Sequence, residues 1–125
     1  MNENEIGTAV LDSAMKVHTT LGPGLLESVY EICMVHELTK LGMKTIRQSA
    51  LPVRYDGLTI EGGFRADLVV DNLVIVEIKA VDKLIPVHKS QVLTYLRLSG
   101  LKLGYLLNFN VSHMRDGIKR VVNGL

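Results

Sequence analysis

At 125 residues the chain has length for one real core and too little for two, so one domain covering residues 1–125 is expected. Hydrophobic residues make up 47% and charged residues 22%, which excludes a disordered chain, and no apolar run approaches the roughly 20 residues that span a bilayer. The net charge of +1 hides an asymmetry: residues through Ile78 carry 6 Lys and Arg against 11 Asp and Glu, and residues from Lys79 onward carry 8 against 2. A basic half beside an acidic one permits nucleic acid as a partner without requiring it. The start, MNENEIGTAV, is acidic and lacks the pattern of a signal peptide, so a cytoplasmic location with no membrane partner is expected. The lone Cys33 cannot form an internal disulfide, and among Ile32, Met34 and Val35 it reads as a buried, inert thiol.

From Glu3 to about Thr20, apolar residues recur at Ile6, Ala9, Val10, Ala14, Val17 and Leu21, a helical stripe that Gly22-Pro23-Gly24 ends. A second helix is predicted from about Leu25 to Leu41, with Leu26, Val29, Tyr30, Cys33, Leu38 and Leu41 inward and Gly42 as its stop. The period then becomes alternating. Lys44 to Tyr55 and Leu58 to Glu61 form a hairpin across Asp56-Gly57, and Pro52 marks an edge or a bulge. Phe64 to Val70 and Leu73 to Ala80, joined across Asp71-Asn72, are the most apolar strand candidates and should be central. Val87 to Leu98 reads as a helix with Val92, Leu93, Leu96 and Tyr95 inward, followed by a strand at Leu101 to Phe109 and a weaker one at Gly117 to Val122. The order predicts an α+β or α/β sandwich with a mixed central β-sheet flanked by helices.

Charged residues interrupt the segments that should be buried. Asp67 lies inside FRADLVV, Glu77 and Lys79 lie inside VIVEIKA, and Glu27 lies in the first turns of the second helix. A buried carboxylate costs several kcal/mol unless it is paired, protonated or bound to a metal. Ordinary ion pairing of Glu77 with Lys79 or Arg65, and a solvated Asp67, is the simpler reading of each residue alone. A hairpin of the two central strands would instead bring both acids together, where like charges about 4 to 5 Å apart repel unless a cation intervenes. Oxygen ligands suit magnesium or manganese. Register sets a condition. A two-residue turn would put Asp67 opposite Val76 and on the other face from Glu77, so shared placement requires an odd loop such as Asp71-Asn72-Leu73, or a bulge.

Asp67, nine intervening residues and then Glu77-Ile78-Lys79 resemble the signature of the PD-(D/E)XK nuclease superfamily. Gly24-Leu25-Leu26-Glu27-Ser28-Val29-Tyr30 resembles the motif of its GxxExxY family, a small prokaryotic branch, and Gln91-Val92-Leu93-Thr94-Tyr95 resembles the superfamily's QxxxY element. Ala66 stands where the superfamily commonly has proline. The resemblance implies a restriction-endonuclease-like core and a Mg2+- or Mn2+-dependent endo- or exonuclease acting on DNA. It implies that Asp67, Glu77 and the carbonyl of Ile78 hold the metal and that Glu27 binds it through water or holds a second ion. Lys79 would orient the attacking water, Gln91 would position the nucleophile or a phosphate oxygen, and Tyr95 would support Gln91.

Other candidates carry less. His18 stands before the glycine-rich turn and could approach Glu27, although a cap or surface position is the simpler account. Tyr30 either packs in the core or hydrogen-bonds a site carboxylate. His36, His88 and His113 lack metal-ligand spacing, and Ser13, Ser28 and Ser90 lack a nucleophile's setting. Lys83, His88, Lys89, Arg97, Lys102, Arg115, Lys119 and Arg120 could contact phosphates, while apolar residues near the C-terminal strand leave room for a homodimer. The alternative to a nuclease is an inactive nucleic-acid-binding or assembly module on the same fold.

Overall fold

The computed structural model describes residues 1–125. The helical N-terminal pattern is split by Gly22 and Gly24, both at positive φ, into α1 (Glu3–Leu21) and α2 (Glu27–Lys40). Asn2 caps α1 in a capping box, with its side chain accepting the Glu5 N–H at 2.8 Å and Glu5 accepting the Asn2 N–H in return. The inner stripe of α2 is Tyr30, Met34 and Leu38, together with Glu31. Three residues assigned inward on periodicity face water instead: Leu21, Leu26 at 74% exposure, and Leu41. They sit at helix ends, where no neighbouring turn covers them. Cys33 and Val29 are half-buried.

Five strands follow, β1 (Thr45–Tyr55), β2 (Leu58–Val70), β3 (Val74–Lys79), β4 (Leu103–Asn108) and β5 (Ile118–Val122), with α3 (Pro86–Ser99) between β3 and β4. They form one mixed sheet in the order β1-β2-β3-β4-β5, antiparallel except for the parallel β3 and β4. A parallel pair needs a crossover, and α3 supplies it. Asp56 and Gly57, both at positive φ, close the two-residue β1–β2 hairpin. Pro52 lies on an edge strand and at a bulge at once, because register shifts between Leu51 and Val53. Leu58 to Glu61 and Phe64 to Val70, separate by pattern, are one strand: Gly62 and Gly63 carry β2 through the bulge, and a Cβ on Gly63 would collide with the Val53 side chain.

β3 sits mid-sheet with a core on each side. Val74, Val76 and Ile78 join Ile6, Val10, Tyr30, Met34 and Leu38 under α1 and α2, while Ile75 joins Val92, Leu96 and Leu106 under α3. This is a restriction-endonuclease-like α+β fold, a five-stranded mixed sheet flanked by three helices. No helix is long and apolar enough to cross a membrane.

The seat of α3 depends on Gly104 of β4, where a Cβ would lie 2.8 Å from Val92 Cγ1 and 3.3 Å from the Ile75 carbonyl oxygen. Neither atom is the free end of a flexible side chain. Gly104→Ala is expected to destabilise the protein by about 1–3 kcal/mol in urea denaturation, because α3 must lift from the sheet. An unchanged midpoint would contradict that seating.

Candidate active site

The loop between β2 and β3 fixes the register. Asp71 and Asn72 both adopt left-handed backbone, and Leu73 follows before Val74 pairs with Val70, so the connection has three residues. Asp71 anchors the loop by accepting the Lys44 N–H through Oδ1 at 2.8 Å and donating its own N–H to the Lys44 carbonyl at 2.8 Å. Val70↔Val74, Val69↔Ile75 and Leu68↔Val76 are the paired positions. One further step in this register sets Asp67 opposite Glu77, the odd loop that a shared face requires.

Past Leu68 and Val76 the ladder stops, and a side chain takes over from the backbone. Asp67 Oδ2 accepts the Ile78 N–H at 2.9 Å. The N–H and C=O of one strand residue point to the same side, so the Ile78 carbonyl also faces β2 and Asp67. By alternation from Ile75, Glu77 and Lys79 project toward the α3 side of the sheet.

Glu77 is 4% exposed, and its Oε1 is buried with no hydrogen-bond partner. It is in no ion pair, so neither Lys79 nor Arg65 neutralises it. Burial first and the neighbouring Asp67 second push its carboxyl up to about 9, against the opposing charge of Lys79. Two acids side by side in a dry sheet share a proton or need a cation. The oxygen donors present are of the hard type that suits magnesium or manganese. No three side chains among His, Cys, Asp and Glu gather in one place, whereas magnesium typically takes one or two carboxylates and fills its shell with water and phosphate.

The helices reach the same strand end from both faces. Glu27 opens α2, and its Oε2 accepts the Ala80 N–H at 3.2 Å, one residue beyond Lys79. Tyr95 of α3 stacks on Phe64 with ring centroids 4.5 Å apart, and burial together with the charges of Glu77 and Asp67 raises its hydroxyl's pKa. Gln91, one turn earlier on α3, is exposed.

Two other candidates serve the scaffold. Tyr30 OH donates to the Gly22 carbonyl at 2.7 Å and accepts the Leu25 N–H at 3.1 Å, while its ring stacks on Phe109. It is a core residue that latches the Gly22-Pro23-Gly24 turn, and its hydroxyl touches no carboxylate. His18 is buried rather than a surface cap, with Nε2 2.8 Å from the Val111 carbonyl.

Sequence reasoning missed three residues of a network that reaches Asp67. Glu31, 5% exposed, receives Arg47 Nε at 3.1 Å, and Gln48 Nε2 lies 3.0 Å from both of its carboxylate oxygens. The same Gln48 nitrogen donates to Asp67 Oδ1 at 3.3 Å. Glu31 had a signal: a carboxylate one turn after Glu27, in the inner stripe of α2. Gln48 had none. Its φ of 49° inside a strand costs on the order of 1–3 kcal/mol, and nothing in an isolated sequence marks a glutamine for that backbone.

A family model of the PD-(D/E)XK nuclease superfamily matches residues 4–121. The chain belongs to this superfamily. Among solved structures, the crystal structure of SSO0001 is similar in fold, with a TM-score of 0.58 at 21% identity. The match covers 79% of this chain and 51% of that one, so the chain spans about half the length of that structure. No curated protein matches the sequence. The nine residues between Asp67 and Glu77 are what the β2–β3 hairpin folds so that the two acids face each other.

The raised Glu77 carboxyl makes metal-free stability depend on pH. Between its ordinary value of 4.5 and about 9, the folded protein holds a proton that the unfolded chain has released, so stability falls as pH rises through that window. Glu77→Gln removes this titration. In EDTA its melting temperature is expected to exceed that of wild type near about pH 9 and to converge with it near about pH 5. A pH-independent difference would contradict the buried, proton-holding Glu77.

Proposed function

We propose that this nuclease-superfamily protein is a Mg2+- or Mn2+-dependent nuclease that hydrolyses phosphodiester bonds in DNA, within the GxxExxY branch. What carries the reading is the unpartnered, buried oxygen of Glu77 facing Asp67 at the end of the strand that also bears Lys79. Asp67, Glu77 and the Ile78 carbonyl would hold the ion, with Glu27 reached through water or a second ion. Such an ion supplies positive charge to the scissile phosphate and lowers the pKa of a bound water. Lys79, two residues from Glu77 and on its face, orients that water or stabilises charge developing on the phosphate. Gln91 positions the nucleophile or a phosphate oxygen, and Tyr95 backs it from the same face of α3.

The branch assignment draws support from what its motif residues do locally. Gly24 takes a φ of 99°, Glu27 begins α2 facing the end of β3, and Tyr30 latches the turn between them. Exposed Lys83, Lys89 and Arg97, before and along α3, suit contacts with the phosphate backbone. The exposed Val122 and Leu125 suit a homodimer contact near β5.

Labelled DNA incubated with magnesium, manganese or EDTA tests the activity. Wild type is expected to cut only with metal, and Asp67→Ala and Lys79→Ala each to lose about 100-fold or more in rate. Cleavage surviving both substitutions would assign the activity to a contaminant and overturn the proposal. Metal binding that raises the melting temperature, with no cleavage of any DNA or RNA form, would establish the inactive binding or assembly module instead.

A further inference from the structure

We infer that Gln48 is a positioning residue whose side-chain amide, clamped by the buried Glu31, holds the Asp67 carboxylate in its metal-binding orientation. This rests on the metal site proposed above and extends it to side chains that the superfamily's signature does not contain. Both Asp67 oxygens are occupied on one side: Oδ2 accepts the Ile78 N–H at 2.9 Å and Oδ1 accepts Gln48 Nε2 at 3.3 Å. A carboxylate oxygen has two lone pairs, so each retains one for a cation. The group is thereby fixed in rotation without being used up.

Gln48 is itself held from the far side. Its Nε2 lies 3.0 Å from each Glu31 oxygen, and Arg47 Nε holds Oε1 at 3.1 Å, which ties the network to α2. Only the NH2 end of the amide can face two carboxylates, because the carbonyl end would meet them with repulsion. Gln48 stands across from Asp67 in the β1–β2 register, between Arg47↔Leu68 and Ser49↔Ala66. Its backbone there is left-handed, at φ 49°, a conformation that glycine or asparagine would occupy with less strain. What glutamine adds is reach to both acids. The network also accounts for Glu31, a carboxylate in the inner stripe of α2 that the proposed chemistry does not otherwise use.

Positioning and stability can therefore be separated at this residue. Gln48→Gly removes the amide from Asp67 and relieves the backbone, and Glu31→Gln in the same chain removes the buried charge that the amide had satisfied. The melting temperature of this double variant in EDTA is expected to match that of wild type, while its manganese dissociation constant, read from the free-ion EPR signal, rises about 10-fold or more. If wild type binds manganese and the variant's affinity stays within about twofold, the inference is overturned and the metal site stands. Weakened binding accompanied by a lower melting temperature assigns Gln48 to holding the fold and also overturns it. Wild type that binds no manganese overturns the metal site and this inference together.

Discussion

The architecture turns on one unfavourable contact: a carboxylate, Glu77, buried in the middle of a sheet directly beside another, Asp67. Burial is the largest pressure keeping Glu77 protonated, and Asp67 adds to it. Neither Lys79 nor Arg65 forms an ion pair that relieves it. Much of the surrounding structure holds the two acids together despite this cost. The loop at Asp71-Asn72-Leu73 sets their register, the core residues flanking them on β3 pack against helices on both faces, and parallel pairing with β4 holds the strand from its other edge. Strain of this kind persists only where a scaffold over-determines it, as this one does.

Around that contact the helices divide the labour. α2 lies under one face of the sheet, yet its first residue, Glu27, reaches the backbone just past β3, because the Gly22-Pro23-Gly24 turn aims the helix there and Tyr30 closes the turn. α3 covers the other face, and its distance from β4 is set by a missing side chain at Gly104. The Tyr95 ring is held on Phe64 of β2, the strand that also bears Asp67. Helix and acid are thus referred to the same strand.

β1 contributes more than an edge. It brings Arg47 and Gln48 beneath α2, and Gln48 against Asp67, so that the polar groups near the paired acids form a connected set rather than isolated side chains. A connected, mutually satisfied network is rigid in a way that single surface contacts are not. Its cost is visible in the left-handed backbone of Gln48.

Residue pattern alone determined the order of helices and strands, the hairpin at Asp56-Gly57, an edge or a bulge at Pro52 and the charged residues Glu27, Asp67, Glu77 and Lys79 that interrupt otherwise apolar segments. Each rests on local chemistry: periodicity, positive-φ turn residues, proline's missing donor, and charges placed where burial penalises them. It also set the condition under which Asp67 and Glu77 would meet. Only the tertiary structure decided that the condition is satisfied, because an odd or an even loop depends on the backbone of Asp71 and Asn72 and on their anchoring to Lys44, a residue 27 positions away. For the same reason the continuity of β2 through its glycines, the core role of Tyr30, and the Glu31–Gln48–Asp67 chain lay beyond sequence reading. They are contacts between segments distant along the chain, and a glutamine forced into left-handed backbone leaves no trace in residue type.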